Sequence, residues 1–380
     1  MLKSSSERTV RKHALYYALH CLNTKPGMPP PRQADVARMI GVDPRRFSEA
    51  LTEARRLNLL AEAFIRPPSM SDDEWRECHE RFHDFDLAER VRRAFVRARF
   101  PFPPRDIRVV GAGRTQFGGD ARRRVFAVNA AEILMPVLMD TNTTVIAVAW
   151  GQMMRDLCRH GVARFCGTGA PRRRAKVWVF GVCGEPFQQS QDVSPSAVAT
   201  ELCRLLNGDT KRVLSLAGVP AVIPGALAQH EIDSIYKMLN HVEAFTTAFG
   251  TGGLAEKMTT LISSFGPVDS ISSWTGRCRR LTGFARIRTR LAGDLASVPV
   301  PATDDPAALA EIQKYSERLP GLAARHVVAL AAEGRKNKAY NVVLIGMGRE
   351  RAKCLWRICE LGWASIVIID RDLALALADR

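Results

Sequence analysis

The sequence predicts an α/β protein with a small helical head ahead of a larger sheet domain. Three observations predict it. From Asp106 onward, apolar runs ending in glycine alternate with segments of helical period. Residues 33–60 carry two short helical patterns joined by a glycine. Residues 341–370, NVVLIGMGRERAKCLWRICELGWASIVIID, read strand, glycine turn, helix, strand, acid.

Length and composition set the frame. At 380 residues, two domains, or one large and one small, are expected. An apolar fraction of 46% is globular. No run approaches the ~18–20 apolar residues of a membrane helix, so no membrane-spanning helix is expected. The N-terminus MLKSSSERTVRKH has no apolar stretch with a cleavage site, so no signal peptide is expected. Nine cysteines, unpaired in spacing, fit a reduced cytoplasm and small core residues. No C-x-x-C pair exists, and no metal or cofactor is expected. The formal net charge of +16 favours a polyanionic partner. It is spread along the chain: residues 1–66 hold twelve Lys/Arg against six Asp/Glu.

The head begins with a helix expected over residues 7–22, where Val10, Ala14, Tyr17, Ala18 and Cys21 share a face. The proline-rich residues 23–32 form a loop. In residues 33–60, Ala37 lets two helices approach, Gly41 supplies the positive φ of a turn, and Val42 and Phe47 lock the crossing. That is the spacing of a helix-turn-helix. Asp43 is a good N-cap and Pro44 a good first residue for the second helix. Its outward positions are Arg45, Arg46, Ser48, Glu49 and Thr52. Guanidinium groups at the start of that helix suit phosphates or guanine edges in a major groove. With Arg32, Gln33 and Arg55 these residues form the candidate DNA-binding set, and a double-stranded operator is the expected partner. Residues 61–68 are a candidate for a short wing.

Residues 72–99 are charged and helical in pattern. Eight acids lie in 72–89 and six arginines in 90–105, and Trp75, Phe82, Phe85 and Val91 are apolar anchors. A solvated linker and an oligomerising helix both fit. PFPPR, residues 101–105, marks a boundary. The expected division is therefore 1–68 for the DNA-binding head, 69–105 for a linker or oligomerisation helix, and 106–380 for the sheet domain.

In that domain the apolar runs are 107–113, 143–151, 175–184, 210–220, 244–253 and 341–348. Helices are expected between them, such as 124–138 and 196–206. Such alternation argues a Rossmann-like parallel sheet with helices on both faces, and ligands there bind at the carboxyl ends of the strands. The 341–370 unit is not read as a dinucleotide site. The last small position of that fingerprint holds Arg351, and the chain ends ten residues after Asp370.

The order of motifs resembles the SorC family of bacterial transcription regulators. The residues that carry the resemblance are Tyr16-Tyr17 ahead of residues 33–42, Trp150-Gly151, residues 216–221, Phe249-Gly250-Thr251-Gly252, and Gly348 to Ala352 with Asp370 and Ala374. The resemblance implies a DNA-binding head and an effector domain related to sugar-phosphate isomerases and deaminases. It also implies a small-molecule effector, a sugar phosphate among the options. A helix-turn-helix reader of an inverted repeat needs two heads, so residues 72–99 and the sheet domain are expected to pair the chain into a homo-oligomer, dimer or tetramer. The implied effector site holds Trp150, Gly151, Gln152, Met153, Gly184, Ser196, Gly250, Thr251, Gly252, Asp269, Gly348 and Arg351. Several depart from the family pattern. Met153 stands for a threonine, Ser196 for an asparagine, Arg351 for a lysine, and Asp269 is shifted by one. Asp43-Pro44 replaces the usual Ser-Arg, and Glu49 an arginine.

The glycine turns offer backbone N–H groups, and Arg351 can reach the same point. A phosphorylated or acidic small molecule is the expected ligand. Two other readings remain open here. One is a regulator whose sheet domain only oligomerises. The other is an isomerase-like enzyme using Asp140, Glu201, His230 or Asp269, although these form no base-and-partner motif.

Overall fold

The computed structural model describes residues 9–17 (without 11 and 15), 33–56, 84–111, 119–166, 176–185, 191–224, 226–268 and 287–380. The expected wing at 61–68, residues 69–83, Arg32 and Asp269 lie outside them.

In the head, α1 spans Gln33–Met39 and α2 spans Pro44–Arg56. Gly41 has φ +68°. Its N–H reaches the Arg38 carbonyl at 3.2 Å, and the Val42 N–H reaches the Ala37 carbonyl at 2.9 Å. This is a Schellman ending, and a side chain at Gly41 would be strained. Asp43 Oδ1 accepts the Arg45 and Arg46 N–H groups at 3.0 and 3.1 Å, capping α2. Val36, Ala37, Phe47, Leu51 and Ala54 make a core with Ala14, Tyr16 and Tyr17 of the helical residues before them. His13 and Tyr17 lie against the Phe47 ring at 5.4 and 6.4 Å.

Next comes α3, Phe85–Arg97, capped by Asp84. Leu87, Ala88, Val91 and Phe95 are buried in the same core as the sheet. Phe95 and Phe100 stack at 4.9 Å, with Trp356 edge-on to both. Arg105, in the expected boundary PFPPR, donates to the carbonyls of Gly334, Tyr340 and Lys338 and to Asn341. This helix and the proline turn are therefore built into the sheet unit.

Seven strands form one parallel sheet: β1 (Asp106–Val110), β2 (Val145–Val148), β3 (Trp178–Gly181), β4 (Val213–Leu214), β5 (Thr260–Ser263), β9 (Asn341–Gly346) and β10 (Ile366–Asp370). Their order is β1-β10-β9-β5-β2-β3-β4. A small antiparallel sheet joins β6 (Phe265–Pro267), β7 (Leu291–Leu295) and β8 (Val298–Pro301). Of the helices, α4 is Gly119–Met139 and α5 is Gln152–Asp156; α5 runs on through a π-helical turn, Leu157–Val162. The others are α6 (Pro195–Asn207), α7 (Gln229–Leu239), α8 (Glu243–Phe249), α9 (Pro306–Ser316), α10 (Ala324–Lys336), α11 (Ala352–Glu360) and α12 (Arg371–Ala378).

One expected strand is corrected. Residues 244–253 are read from sequence as an apolar run like the others, yet 243–249 is helix α8, burying Phe245 and Ala248. The strand of that unit is β5, whose four residues are all buried. All these strands run parallel, but the direction in which successive strands are added reverses between β2 and β5: β3 and β4 lie outward of β2 on one side, and β5, β9 and β10 follow on the other. Sheets of this kind open a crevice at such a reversal, beyond the carboxyl ends of the strands.

Candidate functional site

A cavity of about 600 Å³ lies at that place. Its floor is made of strand ends: Ala149-Trp150-Gly151 after β2, Ser264-Phe265-Gly266 after β5, Gly346-Met347-Gly348 at β9, and Asp370 at β10. Helix α4 contributes Arg122 and Arg123, α5 contributes Gln152, Met153 and Arg155, and the β7–β8 hairpin contributes Asp294, Ala296 and Ser297.

Of the effector residues expected from sequence, the cavity brings together Trp150, Gly151, Gln152, Met153, Gly348 and Arg351. Gly184, Ser196, Gly250, Thr251 and Gly252 are not in its wall. Gly184 packs against backbone, where a Cβ would fall 2.1 Å from the Val219 carbonyl oxygen. Ser196 is buried, and its hydroxyl accepts the Leu216 N–H at 3.1 Å. The Gly250–Gly252 turn precedes β5 rather than following it, and the Gly252 N–H goes to the Glu256 carboxylate at 2.9 Å.

The glycine donors are largely committed. The Gly151 N–H donates to the Val193 carbonyl at 2.9 Å. The Gly348 N–H donates to Asp370 Oδ1 at 3.0 Å, and the same oxygen accepts the Leu373 N–H at 3.1 Å, capping α12. Thus the acid at the end of β10 holds the turn at the end of β9, where a dinucleotide domain would offer it to a ribose. Burial raises the pKa of Asp370 above the ordinary 3.8, against the two N–H bonds.

The arginines are largely committed too. Asp156, 0% exposed, accepts Arg123 Nε at 2.5 Å and Arg155 Nε at 3.0 Å. Arg155 and Arg159 share Asp192 at 3.3 and 3.0 Å. Arg122 pairs with Asp372 at 2.9 Å and lies 3.7 Å from Asp370. Arg351 donates from one terminal nitrogen to the Phe265 carbonyl, and its Nε lies 3.6 Å from the exposed Glu350. Its Nε has no hydrogen-bond partner. Among the described cavity arginines, Arg351 alone has no buried carboxylate beside it.

Sequence reading missed Arg122, Arg123, Arg155, Asp294 and the Ala296-Ser297 turn. Arg123 and Asp156 are 33 positions apart, and no local pattern joins them. Ala296 and Ser297 have φ +52° and +69°. A tight hairpin requires this conformation, usually from Asn-Gly, and it costs roughly 1–2 kcal/mol per residue with a side chain. Ser297 Oγ accepts the Trp150 indole N–H at 3.3 Å and lies 3.3 Å from Cys183 Sγ.

At the head, Arg45, Arg46, Ser48, Glu49 and Thr52 are all exposed on α2. Arg45 pairs with Glu49 at 3.3 Å, and the Thr52 hydroxyl donates to the Ser48 carbonyl at 3.0 Å. Gln33 begins α1 and Arg55 lies in the last turn of α2. The groups considered as catalytic bases stand apart. Asp140 accepts from Asn142, Glu201 pairs with Arg204, and His230 is exposed on α7. Among the described residues no group of three or more His, Cys, Asp and Glu could hold a metal.

No family model matches the chain, and no curated protein matches it. Solved structures do. The full-length sorbitol operon regulator SorC from Klebsiella pneumoniae superposes with TM-score 0.58 at 15% identity, covering 99% of this chain and 100% of that one. A DeoR family transcriptional regulator from Listeria monocytogenes gives 0.52 at 13% identity, covering 77% of this chain and 98% of that one. A transcriptional regulator from Streptococcus pneumoniae gives 0.54 at 10%, covering 78% and 96%. At such identities the likeness is one of fold. From its helical head to its last strand, this chain has the fold of a full-length SorC regulator, as its sequence motifs imply.

Proposed function

We propose that this protein is a DNA-binding transcription regulator, acting in the cytoplasm as a homo-oligomer, whose sheet domain senses a small polar metabolite. The observation that carries the reading is a helix-turn-helix with its own core, presenting Arg45 and Arg46, on a chain that also holds a strand-end cavity. The match to the Klebsiella regulator along both chains supports the combination. An acidic or phosphorylated group would lie at Arg351, the described cavity arginine with no buried carboxylate beside it. The proposed division keeps a DNA-binding head over 1–68 and assigns α3, whose buried residues share the sheet core, to the sheet unit.

A second reading has a specific observation in its favour. Arg351 already bonds the Phe265 carbonyl, and the Gly151 and Gly348 N–H groups bond Val193 and Asp370. A cavity so engaged suits a sheet domain that serves only to oligomerise.

The test is selection of duplexes from a random pool, followed by binding titrations. The wild type should enrich an inverted repeat with half-sites about one helical turn, ~34 Å, apart, bound by at least two heads per duplex. Arg45→Ala with Arg46→Ala should weaken binding by about 1–3 kcal/mol for each base contact, or lower the salt slope by about one for each phosphate contact. No enrichment, or a folded double variant that binds as the wild type does, would overturn the reading.

A further inference from the structure

A second cavity, of about 520 Å³, lies between α7, α8, the β7–β8 turn, the end of α9 and the segment leading into α10. Its inner wall is apolar: Ile232, Tyr236, Phe245 and Phe249 from the two helices, with Leu319 and Leu322 opposite. The rings form a continuous surface, with centroids 6.3 Å apart for Tyr236–Phe245 and 5.4 Å for Phe245–Phe249. At the mouth stand two exposed carboxylates, Asp233 and Glu317, and one guanidinium, Arg325. The Asp233 carboxylate accepts from the Gln229 amide at 3.1 Å.

The buried His326 adds no charge at neutral pH. Its Nδ1 accepts the Ala323 N–H at 3.1 Å, and burial lowers its pKa, with Arg325 acting in the same sense. Burial, assisted by Glu317, pushes the Tyr236 phenol up to about 12, so that ring stays neutral. The lining therefore holds two carboxylates against one guanidinium, in a chain of net charge +16. Aromatic faces attract cations and carboxylates at the mouth reinforce the preference, whereas an anion would meet both acids on entry.

We propose that this cavity is a second ligand site, taking an organic ammonium ion with an apolar body. The proposal is independent of the DNA-binding reading. Its wall also contains Ser297, which lines the strand-end cavity and accepts the Trp150 indole N–H. Occupation of the second cavity is therefore felt at Trp150 through the β7–β8 turn.

The experiment is calorimetric titration of the full chain with three probes of one shape: phenethylamine, phenethyl alcohol and 3-phenylpropanoate. The amine should bind about tenfold more tightly than the alcohol, and the propanoate more weakly than either. Asp233→Asn with Glu317→Gln, checked by thermal melting, should reduce amine affinity to that of the alcohol and leave the alcohol unchanged. Amine binding should also shift the Trp150 indole N–H resonance, assigned through Trp150→Phe. Absence of binding by all three, equal affinity for amine and propanoate, or an amine preference that survives the double variant would overturn the site. Binding that leaves the Trp150 signal in place would overturn the link between the cavities.

Discussion

Asp370 stands at the end of β10, 1% exposed, and a single carboxylate oxygen accepts both the Gly348 and the Leu373 N–H. The sequence displays this acid and the glycine turn at a separation familiar from nucleotide sites. What it cannot display is that the carboxylate reaches back across the sheet, because β9 and β10 become neighbours only through the fold. Burial holds the folded pKa of Asp370 above 3.8. Its contribution to stability is thus full below that value and is lost as pH rises through the folded pKa. Asp370→Asn keeps an oxygen acceptor for both N–H groups and removes the cost of a buried charge. Its melting temperature should fall less than that of the wild type between about pH 4 and pH 7. Asp370→Ala, which leaves both donors unpaired, should cost about 1–3 kcal/mol. Parallel melting curves for the wild type and Asp370→Asn across that range would contradict this account of the acid.

Among elements, those with strong local signals were legible from sequence. Asp43-Pro44 fixes the start of α2, Gly41 the end of the helix before it, and unbroken apolar runs fix β9 and β10. The failure at residues 244–253 has a physical cause. AFTTAF carries β-branched threonines and aromatics that fit a strand, but Phe245, Ala248 and Phe249 fall three and four apart and line one side of a helix. The true strand, TLIS, is too short to show a period. The π-helical turn after α5 was equally invisible. It sets Gly161 against α4, where a Cβ would fall 2.5 Å from the Ala127 carbonyl oxygen and 2.7 Å from the Ala131 Cβ. Gly161→Ala should therefore push these helices apart and cost about 1–3 kcal/mol in denaturant unfolding. A variant as stable as the wild type would show that the contact yields freely.

At the scale of the whole molecule, the sheet order decides which residues meet. Reversal between β2 and β5 brings Trp150, Phe265, Gly348 and Asp370 around one cavity although more than 200 positions separate the first and last. Sequence reading found half of that set through its glycine turns. It missed the ion-paired arginines, because Arg123, the neighbours Arg155 and Asp156, and Asp192 come from three separate elements that meet only in the fold. For a regulator, cavity and head must share an equilibrium, since an effector alters DNA binding only by its different affinity for the two states. The measurement that tests this directly is operator affinity titrated across a panel of phosphorylated sugars and polyols, for the wild type and Arg351→Ala. One compound should shift wild-type affinity by about 5–150-fold, as coupling free energies of about 1–3 kcal/mol give, and Arg351→Ala, still able to bind DNA, should lose the shift. A compound that binds the sheet domain while operator affinity stays constant, or a shift that persists in Arg351→Ala, would contradict this coupling.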